Sequence, residues 1–382
     1  LDGVYKELSV HLGGVIFSPA DIEETFPAHY SPDNFRQVIW DKDSIERLMI
    51  YKLDLLGVRG FDLISSIARS GHTDFTNRAV WERIRAAKTI GCFQMESPLA
   101  MDALKQTQPA NLFELGISIA IIRPGPAKSG MKAQYIQKRM ARGDFLFDLF
   151  PNSRGSLIFE EQISVLLHAI TGWDLEFSEK VRRDLKKKRG DQHRLAFFEK
   201  GSYNGWSSED LERFWKLAAD FSLYAFNQAH SVSYAYSAYL SAWVKELDTV
   251  AFFTGILNAG SGYYPPEFYI AEAKREGIVF LPPDINKSDL GFRKEAQAIR
   301  TGLRHIKGIG NKTGLKLLKK RESGYRSLED VLSRTGIGEK DLSLLIAASA
   351  FASLGLNQFS KTQQRKTGKS CWDSSRNSVT LQ

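Results

Sequence analysis

The densest group of charged side chains is the stretch KVRRDLKKKR at residues 180–189, which holds seven basic residues and one aspartate. The preceding LEFSEKV has a helical pattern, so we expect these side chains on one helix. Such a helix can bind a triphosphate or a nucleic acid backbone and offset developing negative charge. The alternative is a solvated helix face, and composition alone favours neither. The residues concerned are Arg182, Arg183, Lys186, Lys187 and Lys188.

A second basic element follows a glycine turn. In HIKGIGNKTGLKLLKKR (305–321), Gly308 and Gly310 flank an isoleucine just before an amphipathic helix. Glycine lets a backbone approach phosphate closely, and a helix N-terminus offers unpaired N–H groups. Lys307 and Lys312 add positive charge on either side. The pattern is typical of a helix-hairpin-helix that binds the DNA backbone without sequence preference. The alternative is a tight turn that only packs two helices.

Two further polar groups have the composition of a binding site. Arg123 precedes a Pro-Gly-Pro turn, which restricts the backbone, and a fixed arginine suits a phosphate or a carboxylate. A structural ion pair is the alternative for this residue. AFNQAHSVSYAY (225–236) places Asn227 and His230 just ahead of an aromatic stripe, where polar side chains can line a site. A helix N-cap explains the same spacing equally well.

One carboxylate interrupts an apolar segment. In YKLDLLGV (51–58), Asp54 has apolar neighbours on both sides, and the segment predicts a buried strand. A buried carboxylate is costly unless it is paired or bound to a metal. Asp54 is therefore a candidate metal ligand, and a solvated or capping aspartate at the strand end is the alternative.

The overall composition narrows the class of protein. The 382 residues carry 52 basic and 44 acidic side chains, and a net charge of +8 favours a polyanionic partner. This length predicts two or three domains. Two cysteines argue against a disulfide framework and fit the cytoplasm, and the histidines show no zinc spacing. No apolar run is long enough to span a membrane.

The periodicity predicts a mainly α protein with a small α/β part at its N-terminus. Three short strands are expected, in GGVIFS (13–18), RQVIWD (36–41) and MIYKLDLLG (49–57). A helical pattern then runs from about residue 59 to 260. It includes a helix over 207–221, with Ser207 or Ser208 as its cap.

The C-terminal part shows a different pattern. SVSYAYSAYLSAWVKEL (231–247) predicts a helix with an aromatic stripe in the core, and Pro-Pro at 282–283 marks a domain edge. Two short strands, GFRKE and AIRTGL, and a helical region over 306–356 are expected next. The polar tail at 357–382 lacks periodicity, and we expect it to be disordered.

Taken in order, these stretches resemble the bacterial C-family DNA polymerases, the DNA polymerase III alpha subunits. The matching motifs are HLGGVIFSP, WDKDSIERLMIYKLDLLGVRGFDLI, GCFQMES, IIRPGPAKSGM, FEEQI, VRRDLKKKR, AFNQAHSVSYAY, LPPDIN and IKGIG. They extend from about residue 7 to 355, and HSVSYAY looks closer to the error-prone branch. The resemblance implies four parts: a partial palm of the polymerase-beta nucleotidyltransferase type (1–58), all-α fingers (59–275), a linker with a helix-hairpin-helix region (276–356) and the disordered tail (357–382).

The resemblance also implies an activity and its residues. The family adds deoxynucleotides to a primer 3′ end by phosphoryl transfer on two magnesium ions, in replication or error-prone repair. Asp54 matches one of three palm aspartates that bind those ions. The implied nucleotide-binding residues are Arg123, Arg182, Arg183, Lys186, Lys187, Lys188, Asn227 and His230, and the implied DNA-binding residues are Lys307, Gly308, Gly310 and Lys312. The implied partners are primer–template DNA, deoxynucleoside triphosphates, a sliding clamp and other replisome subunits, with no membrane.

Several positions depart from the family pattern. Lys186 stands where a glycine is usual, Gln228 where the main replicase has lysine, and Phe159 and Glu160 where Tyr-Gln is usual. The other two palm aspartates are not among the 382 residues, and the Asp-Lys-Asp at 41–43 matches a non-catalytic stretch. We therefore expect a C-terminal fragment of a DNA polymerase that is inactive alone. A non-catalytic DNA-binding module is the main alternative. A truncated product without a stable fold is a weaker one, because the helical patterns are intact.

Overall fold

The computed structural model shows a mostly helical chain with short strands, which confirms the predicted fold class. The chain divides into two compact units, Leu1–Phe61 and Asp62–Gln382. The predicted disordered tail lies outside the residues that the structure describes. The structure describes residues 14–18, 24, 26–31, 34–54, 73–123, 131–137, 144–223, 225–260 and 262–356.

The first unit contains two short antiparallel ladders and one helix. Strand β1 pairs with β4, so that Gly14 lies opposite Asp54, and β2 pairs with β3. Strands β1, β3 and β4 fall within the three predicted strand segments, whereas β2 had no sequence signal. The elements are β1 (Gly14–Ile16), β2 (Ala28–Tyr30), β3 (Arg36–Val38), α1 (Lys42–Arg47) and β4 (Lys52–Asp54). Asp41 accepts a hydrogen bond from the Ser44 backbone N–H at 2.8 Å, and its bonds to Ser44 lower the pKa of this carboxyl.

The prediction that YKLDLLGV is a buried strand is wrong at the residues that flank Asp54 on its N-terminal side. Tyr51 is 82% exposed and Leu53 is 52% exposed. The side chains of a strand are buried only where another layer packs on its face, and these two remain open to solvent. The burial argument for a metal-bound aspartate therefore loses its support, and the side chain of Asp54 itself lies outside the described part of the structure.

The second unit has a first core around its longest helix, α11. This helix contacts α2, α4 and α12, and its residues Tyr239, Trp243 and Val244 are buried. Tyr236, which was expected in the same buried stripe, is exposed instead. The helices that build this core are α2 (Arg78–Arg85), α3 (Pro98–Thr107), α4 (Leu112–Ala120), α11 (Gln228–Leu247), α12 (Thr249–Ala259) and α13 (Pro266–Arg275).

A second core lies between these helices in sequence. It is built mainly by α7, α8, α9 and α10, whose apolar faces pack together. The predicted helix over 207–221 is α10, and Ser207 caps it by accepting a hydrogen bond from the Asp210 N–H. The elements of this region are α5 (Met131–Gln137), α6 (Phe145–Leu149), a 3₁₀ turn (Pro151–Ser153), α7 (Glu160–Thr171), α8 (Leu175–Lys186), α9 (Asp191–Tyr203) and α10 (Ser208–Ser222).

The C-terminal part adds a small sheet and three helices. The sheet has the strand order β5-β7-β6, with β5 and β7 parallel. Its residue Ile299 belongs to the α11 core, whereas the final helices have a third core of their own. The elements are β5 (Val279–Leu281), β6 (Arg293–Glu295), β7 (Ala298–Arg300), a 3₁₀ turn (Leu303–His305), α14 (Asn311–Arg321), α15 (Leu328–Thr335), α16 (Glu339–Ala347) and a 3₁₀ turn (Ala352–Leu354).

The LPPDIN motif has a structural explanation. Asp284 is buried, and its carboxylate accepts hydrogen bonds from the backbone N–H groups of Asn286, Lys287 and Ser353. The two Asp284 oxygens thus fix a turn and attach it to the last 3₁₀ turn of the described chain. Burial of this carboxylate is tolerated because these donors replace water.

Candidate functional site

Helix α8 carries the first part of the predicted basic cluster. It begins after Asp174, whose side chain accepts a hydrogen bond from the Phe177 N–H at 2.7 Å. It ends at Lys186, Lys187 is the cap, and Lys188 has a positive φ of 57°. The prediction that all three lysines extend one helix is therefore wrong for the last two. Lys187 and Lys188 lie on the turn beyond the helix, where positive charge also complements the helix dipole.

Arg182 is buried in an ion-pair network. It is 7% exposed, and it donates to Glu160 at 2.9 Å and to both oxygens of Glu179 at 2.6 and 2.8 Å. The hydrogen bond from Arg182 is the main reason that the pKa of Glu179 falls to about 2. These contacts attach α8 to the N-terminus of α7, and they occupy most of the donors of this guanidinium.

Arg183 and Lys186 belong to the same network but face solvent. Their side chains are 69% and 53% exposed. Arg183 Nε lies 3.0 Å from Glu179, and Lys186 Nζ lies 3.3 Å from Glu160. In the described part of the chain each has a single carboxylate partner, so donors remain for an incoming anion. Of the five predicted residues of this cluster, those accessible to a phosphate are therefore Arg183 and Lys186, together with the exposed Lys187 and Lys188.

Arg123 forms a cation–π cluster rather than an ion pair. Its guanidinium carbon lies 3.8 Å from the ring centre of Phe226 and 5.6 Å from that of Tyr234. The ring of His230 lies 4.0 Å from Tyr234 and 5.2 Å from Phe226. Burial, and secondarily the charge of Arg123, lowers the pKa of His230, so this imidazole is neutral at pH 7. Among the described residues, no carboxylate lies within ion-pair distance of Arg123.

Asn227 is the N-cap of α11. Its side-chain oxygen accepts from the His230 N–H at 2.9 Å, and its amide donates to Glu161 at 2.8 Å. Glu161 also accepts from the Gln228 N–H. These contacts of Asn227 are those of a helix N-cap, which was the alternative explanation of its spacing. An open cavity of about 280 Å³ lies next to this helix start and is lined in part by Glu161, Gln228 and Phe159.

The start of α7 connects these groups. Phe159 and Phe226 form a parallel backbone bridge, and the Glu160 N–H donates to the Phe226 carbonyl at 2.9 Å. Glu160 then contacts the basic helix α8, whereas Glu161 contacts the cap of α11. From the sequence, no role was predicted for these two acids of the FEEQI motif. The available signal was a pair of carboxylates at a helix start, where acids are favourable.

The predicted glycine turn is present and carries exposed cations. Ile306 and Ile309 are buried, whereas Lys307 and Lys312 are exposed. Gly308 has φ of +90°, a value that favours glycine, so the turn requires this residue type. The next glycine, at 310, is the N-cap of α14, and no side chain caps the helix there. The N–H groups of the first turn of α14 therefore remain available to an anion.

The described residues do not fit a metal site. Among them, no three His, Cys, Asp or Glu side chains are close enough to hold an ion. We therefore derive no chemical step through a metal. Within the same described residues, no helix is both long and apolar enough to cross a bilayer.

Family models match three segments of this chain. They are the bacterial DNA polymerase III alpha NTPase domain at residues 1–57, the finger domain of the bacterial DNA polymerase III alpha subunit at 65–205, and a helix-hairpin-helix motif at 277–360. The basic network around α8 falls within the finger match, and the glycine turn falls within the helix-hairpin-helix match.

Curated relatives cover nearly all of this chain. DNA polymerase III subunit alpha of Aquifex aeolicus is 28% identical in an alignment 377 residues long that covers 92% of this chain and 32% of the relative. Error-prone DNA polymerase of Burkholderia mallei is 28% identical over 92% of this chain and 37% of its own length. That of Hahella chejuensis is 30% identical over 95% and 38%. The chain thus spans about a third of the length of these relatives.

Proposed function

We propose, since this chain belongs to the family of bacterial DNA polymerase III alpha subunits, that it forms the nucleotide-binding and DNA-binding part of a DNA-directed DNA polymerase. The observation that carries this proposal is the pair of exposed cations on α8, Arg183 and Lys186, held next to the start of α7. The substrate would be a deoxynucleoside triphosphate added to a primer 3′ end. This DNA synthesis would take place in the cytoplasm, where bacterial DNA is replicated and repaired.

The two arginines of α8 have different roles in this proposal. Arg183, with its exposed guanidinium, contacts the triphosphate, and Lys186, Lys187 and Lys188 add charge around it. Arg182 positions the helix through Glu160 and Glu179, since it is buried and most of its donors are occupied. Cations fixed in this way neutralise phosphate charge without reorganising, which favours transfer.

The aromatic cluster supplies the second side of the nucleotide site. Burial lowers the pKa of His230, its ring lies against Tyr234 at an interplanar angle of 49°, and the Arg123 guanidinium covers Phe226. Flat groups of this kind suit the sugar and base of a nucleotide more than its phosphates. Asn227 orients His230 by accepting its backbone N–H. Asn227 is therefore a positioning residue.

The glycine turn provides the contact to DNA. Lys307 and Lys312, with the open N–H groups after Gly310, face phosphates of primer–template DNA. None of these groups can read a base edge from the backbone side, so the contact is independent of sequence. A sliding clamp and further replisome subunits remain expected partners of the complete enzyme.

The nucleotide site can be tested on the 382-residue chain by equilibrium binding of a fluorescent deoxynucleoside triphosphate. Arg183→Ala removes one charge-assisted contact and should weaken binding roughly 10- to 100-fold. Arg194→Ala is the matched control, because Arg194 is also an exposed arginine with one carboxylate partner, Glu212. Equal affinity of both variants and of the unaltered chain would overturn the nucleotide assignment.

The catalytic role of Asp54 needs a different assay. Primer extension with Mg²⁺ would compare this chain with a longer protein that also supplies the two further palm aspartates. We expect extension only by the longer protein, and its loss on Asp54→Ala. Full extension without Asp54 would remove this residue from the proposed metal site.

A non-catalytic DNA-binding module is the second candidate function. It is favoured by the exposed cations of the glycine turn, Lys307 and Lys312, which need no metal to bind phosphates. This candidate predicts DNA binding without measurable binding of a deoxynucleoside triphosphate. The same fluorescence assay therefore separates the two functions.

A further inference from the structure

Helix α14 carries positive charge far beyond the glycine turn. Its eleven residues, NKTGLKLLKKR, include five cations and no acid. Lys312, Lys316 and Lys319 recur at spacings of four and three, which places them on one face of a helix. Gly314 and Leu317 are buried on the opposite side. Lys320 borders the same exposed face, which we call the lysine face and define by Lys312, Lys316, Lys319 and Lys320.

The lysine face has no internal neutralisation. Of the five cations of α14, only Arg321 has a carboxylate partner within the described residues, Asp289 at 3.6 Å. Within the described residues, the one side-chain hydrogen bond of the face joins Lys316 Nζ to the Gly336 carbonyl oxygen at 3.4 Å. This differs from the finger helices, where Arg182, Arg183 and Lys186 are all paired with glutamates.

This arrangement opposes the stability of the helix. Like charges three and four residues apart repel each other, and Lys316 has such neighbours on both sides. Lys312 lies in the first turn, where the helix dipole already disfavours a cation. The dipole explains Lys319 and Lys320 in the last turn, but it does not explain Lys312 or Lys316. A bound polyanion would remove both unfavourable terms.

The dimensions of the face match a nucleic acid strand. From Lys312 to Lys319 the helix rises about 10 Å. One strand of duplex DNA advances about 3.4 Å per nucleotide along its axis, so the face spans about three nucleotides. Leu315 is 54% exposed between these lysines and offers an apolar contact for deoxyribose.

We infer that the lysine face binds the phosphates of one DNA strand, and that it extends the contact that begins at the glycine turn along the length of α14. This inference rests on the proposed DNA-binding function and adds Lys316, Lys319 and Lys320 to its residues. The DNA-binding site then has two parts, the N–H groups and lysines of the turn and a row of side-chain cations after it.

The test measures DNA affinity at several salt concentrations by fluorescence anisotropy with a labelled primer–template duplex. The face variant is Lys316→Ala/Lys319→Ala/Lys320→Ala, and the turn variant is Lys307→Ala/Lys312→Ala. The matched control, Lys105→Ala/Lys200→Ala/Lys216→Ala, removes three exposed lysines elsewhere. A fourth variant replaces the three face lysines with arginine and keeps their charge.

Counterion release sets the expected result. Raising the salt from 50 to 200 mM weakens DNA binding by a certain factor. That factor should be roughly 40 times smaller for the face variant than for the unaltered chain, because three phosphate contacts are lost. The control should match the unaltered chain, and the arginine variant should retain the salt dependence. Melting temperatures check folding, and Lys319→Ala/Lys320→Ala, which keeps the Lys316–Gly336 contact, provides a milder version with a proportionally smaller effect.

The outcomes separate the inference from the function on which it rests. If the unaltered chain does not bind DNA, the proposed DNA-binding function fails. If the turn variant loses affinity while the face variant behaves like the control, the inference alone is overturned. A face variant with a reduced salt slope and a normal melting temperature supports it.

Discussion

Two Gly-Ile-Gly turns in the C-terminal part have nearly the same backbone at their second glycine but opposite charge. Gly310 has φ and ψ of −82° and 163°, and Gly338 has −76° and 164°. Each caps a helix without a side-chain cap, and each turn buries its isoleucine. The sequences around them are KGIGNKT at 307–313 and TGIGEKD at 335–341. The sequence pattern that revealed the first turn therefore also exists at the second, where we predicted nothing.

The charges show what distinguishes the two turns. Lys340 occupies the position in α16 that Lys312 has in α14, but Glu339 and Asp341 flank it. Acids in a first helical turn neutralise the dipole within the protein. Asp341 also accepts a hydrogen bond from Thr313 at 2.8 Å, which joins the two hairpins. The backbone therefore defines the motif, while the flanking charges determine whether an external anion is needed.

The cation that precedes the second turn is likewise occupied. Arg334 donates to the Gly324 carbonyl at 2.9 Å and to Asp330 at 3.3 Å, and it also contacts the Lys320 carbonyl. The first turn has Lys307, which is exposed. We therefore expect phosphate binding at the first turn and packing at the second.

The largest expected difference concerns DNA affinity. Lys312→Glu should weaken binding at 0.1 M salt by at least about tenfold, because one phosphate contact is lost and a repulsion is added. Lys340→Glu, the same change at the matched position, should alter the affinity less than about threefold. Anisotropy titration measures both. If the two variants weaken binding equally, the second turn also contacts DNA and the comparison fails.

The converse change adds positive charge to the second turn. Glu339→Lys changes the net charge of TGIGEKD from −1 to +1, against +2 for KGIGNKT, and it should increase DNA affinity by less than about tenfold, the value of one phosphate contact. A gain shows that backbone geometry already permits binding there. A loss would contradict the view that charge alone separates the turns.

A smaller difference is expected in stability. Gly308 has φ of +90° and Gly336 has φ of +55°, so alanine is strained at both positions. Gly308→Ala should lower the free energy of unfolding by about 2–3 kcal/mol, because side chains avoid this φ, whereas Gly336→Ala should cost about 1 kcal/mol. Urea unfolding measures both changes. An equal or reversed order would show that the first turn is not the more constrained one.

Gly310→Ala is the control for the Gly308 substitution. Its φ is ordinary, and a Cβ atom there would meet no heavy atom within 4 Å. It should lower the free energy of unfolding by about 1 kcal/mol or less, which is the cost of a poor N-cap residue. A large loss at this position would indicate a contact of the turn that the backbone geometry does not show.

The smallest difference concerns pH. His305 precedes the first turn, its ring stacks on Phe292 at 4.0 Å, and burial lowers its pKa to about 4. The unfolded chain binds this proton more strongly, so the contribution of His305 to stability is complete above pH 6.5 and decreases as the pH falls toward 4. His305→Asn should therefore flatten the fall in melting temperature between pH 7 and 5. An unchanged profile would contradict a neutral, buried His305.

Features of the fold that depend on hydrogen bonds within one turn of the chain were predictable from the sequence, whereas features set by side-chain packing were not. Ser207 caps α10 as expected, because a cap depends on residues three apart. The end of α8 was not predicted. Gly190 packs so closely on Leu185 that a Cβ atom would lie 2.3 Å from the leucine, and this approach turns the chain away from the helix. Nothing in the run of lysines shows that contact.

The same distinction applies to the candidate site. Arg123, Arg182, Arg183 and His230 were identified from residue type and resemblance, but their partners were not. Arg123 covers Phe226, about a hundred positions later in the chain, so neither spacing nor periodicity could indicate the contact. The exposure of Arg183 and the burial of Arg182 depend on how α7 and α8 pack. That difference determines their proposed roles.

A row of lysines that meets only phosphates has a consequence for movement. Every nucleotide presents the same charge to the lysine face, so the binding energy is nearly equal in each register along the strand. Such a contact resists dissociation yet offers little resistance to a shift by one nucleotide. Sequence-reading side chains would create an energy minimum at each favoured site and halt the advance. A contact of this proposed kind would let the protein shift along the strand without releasing the DNA.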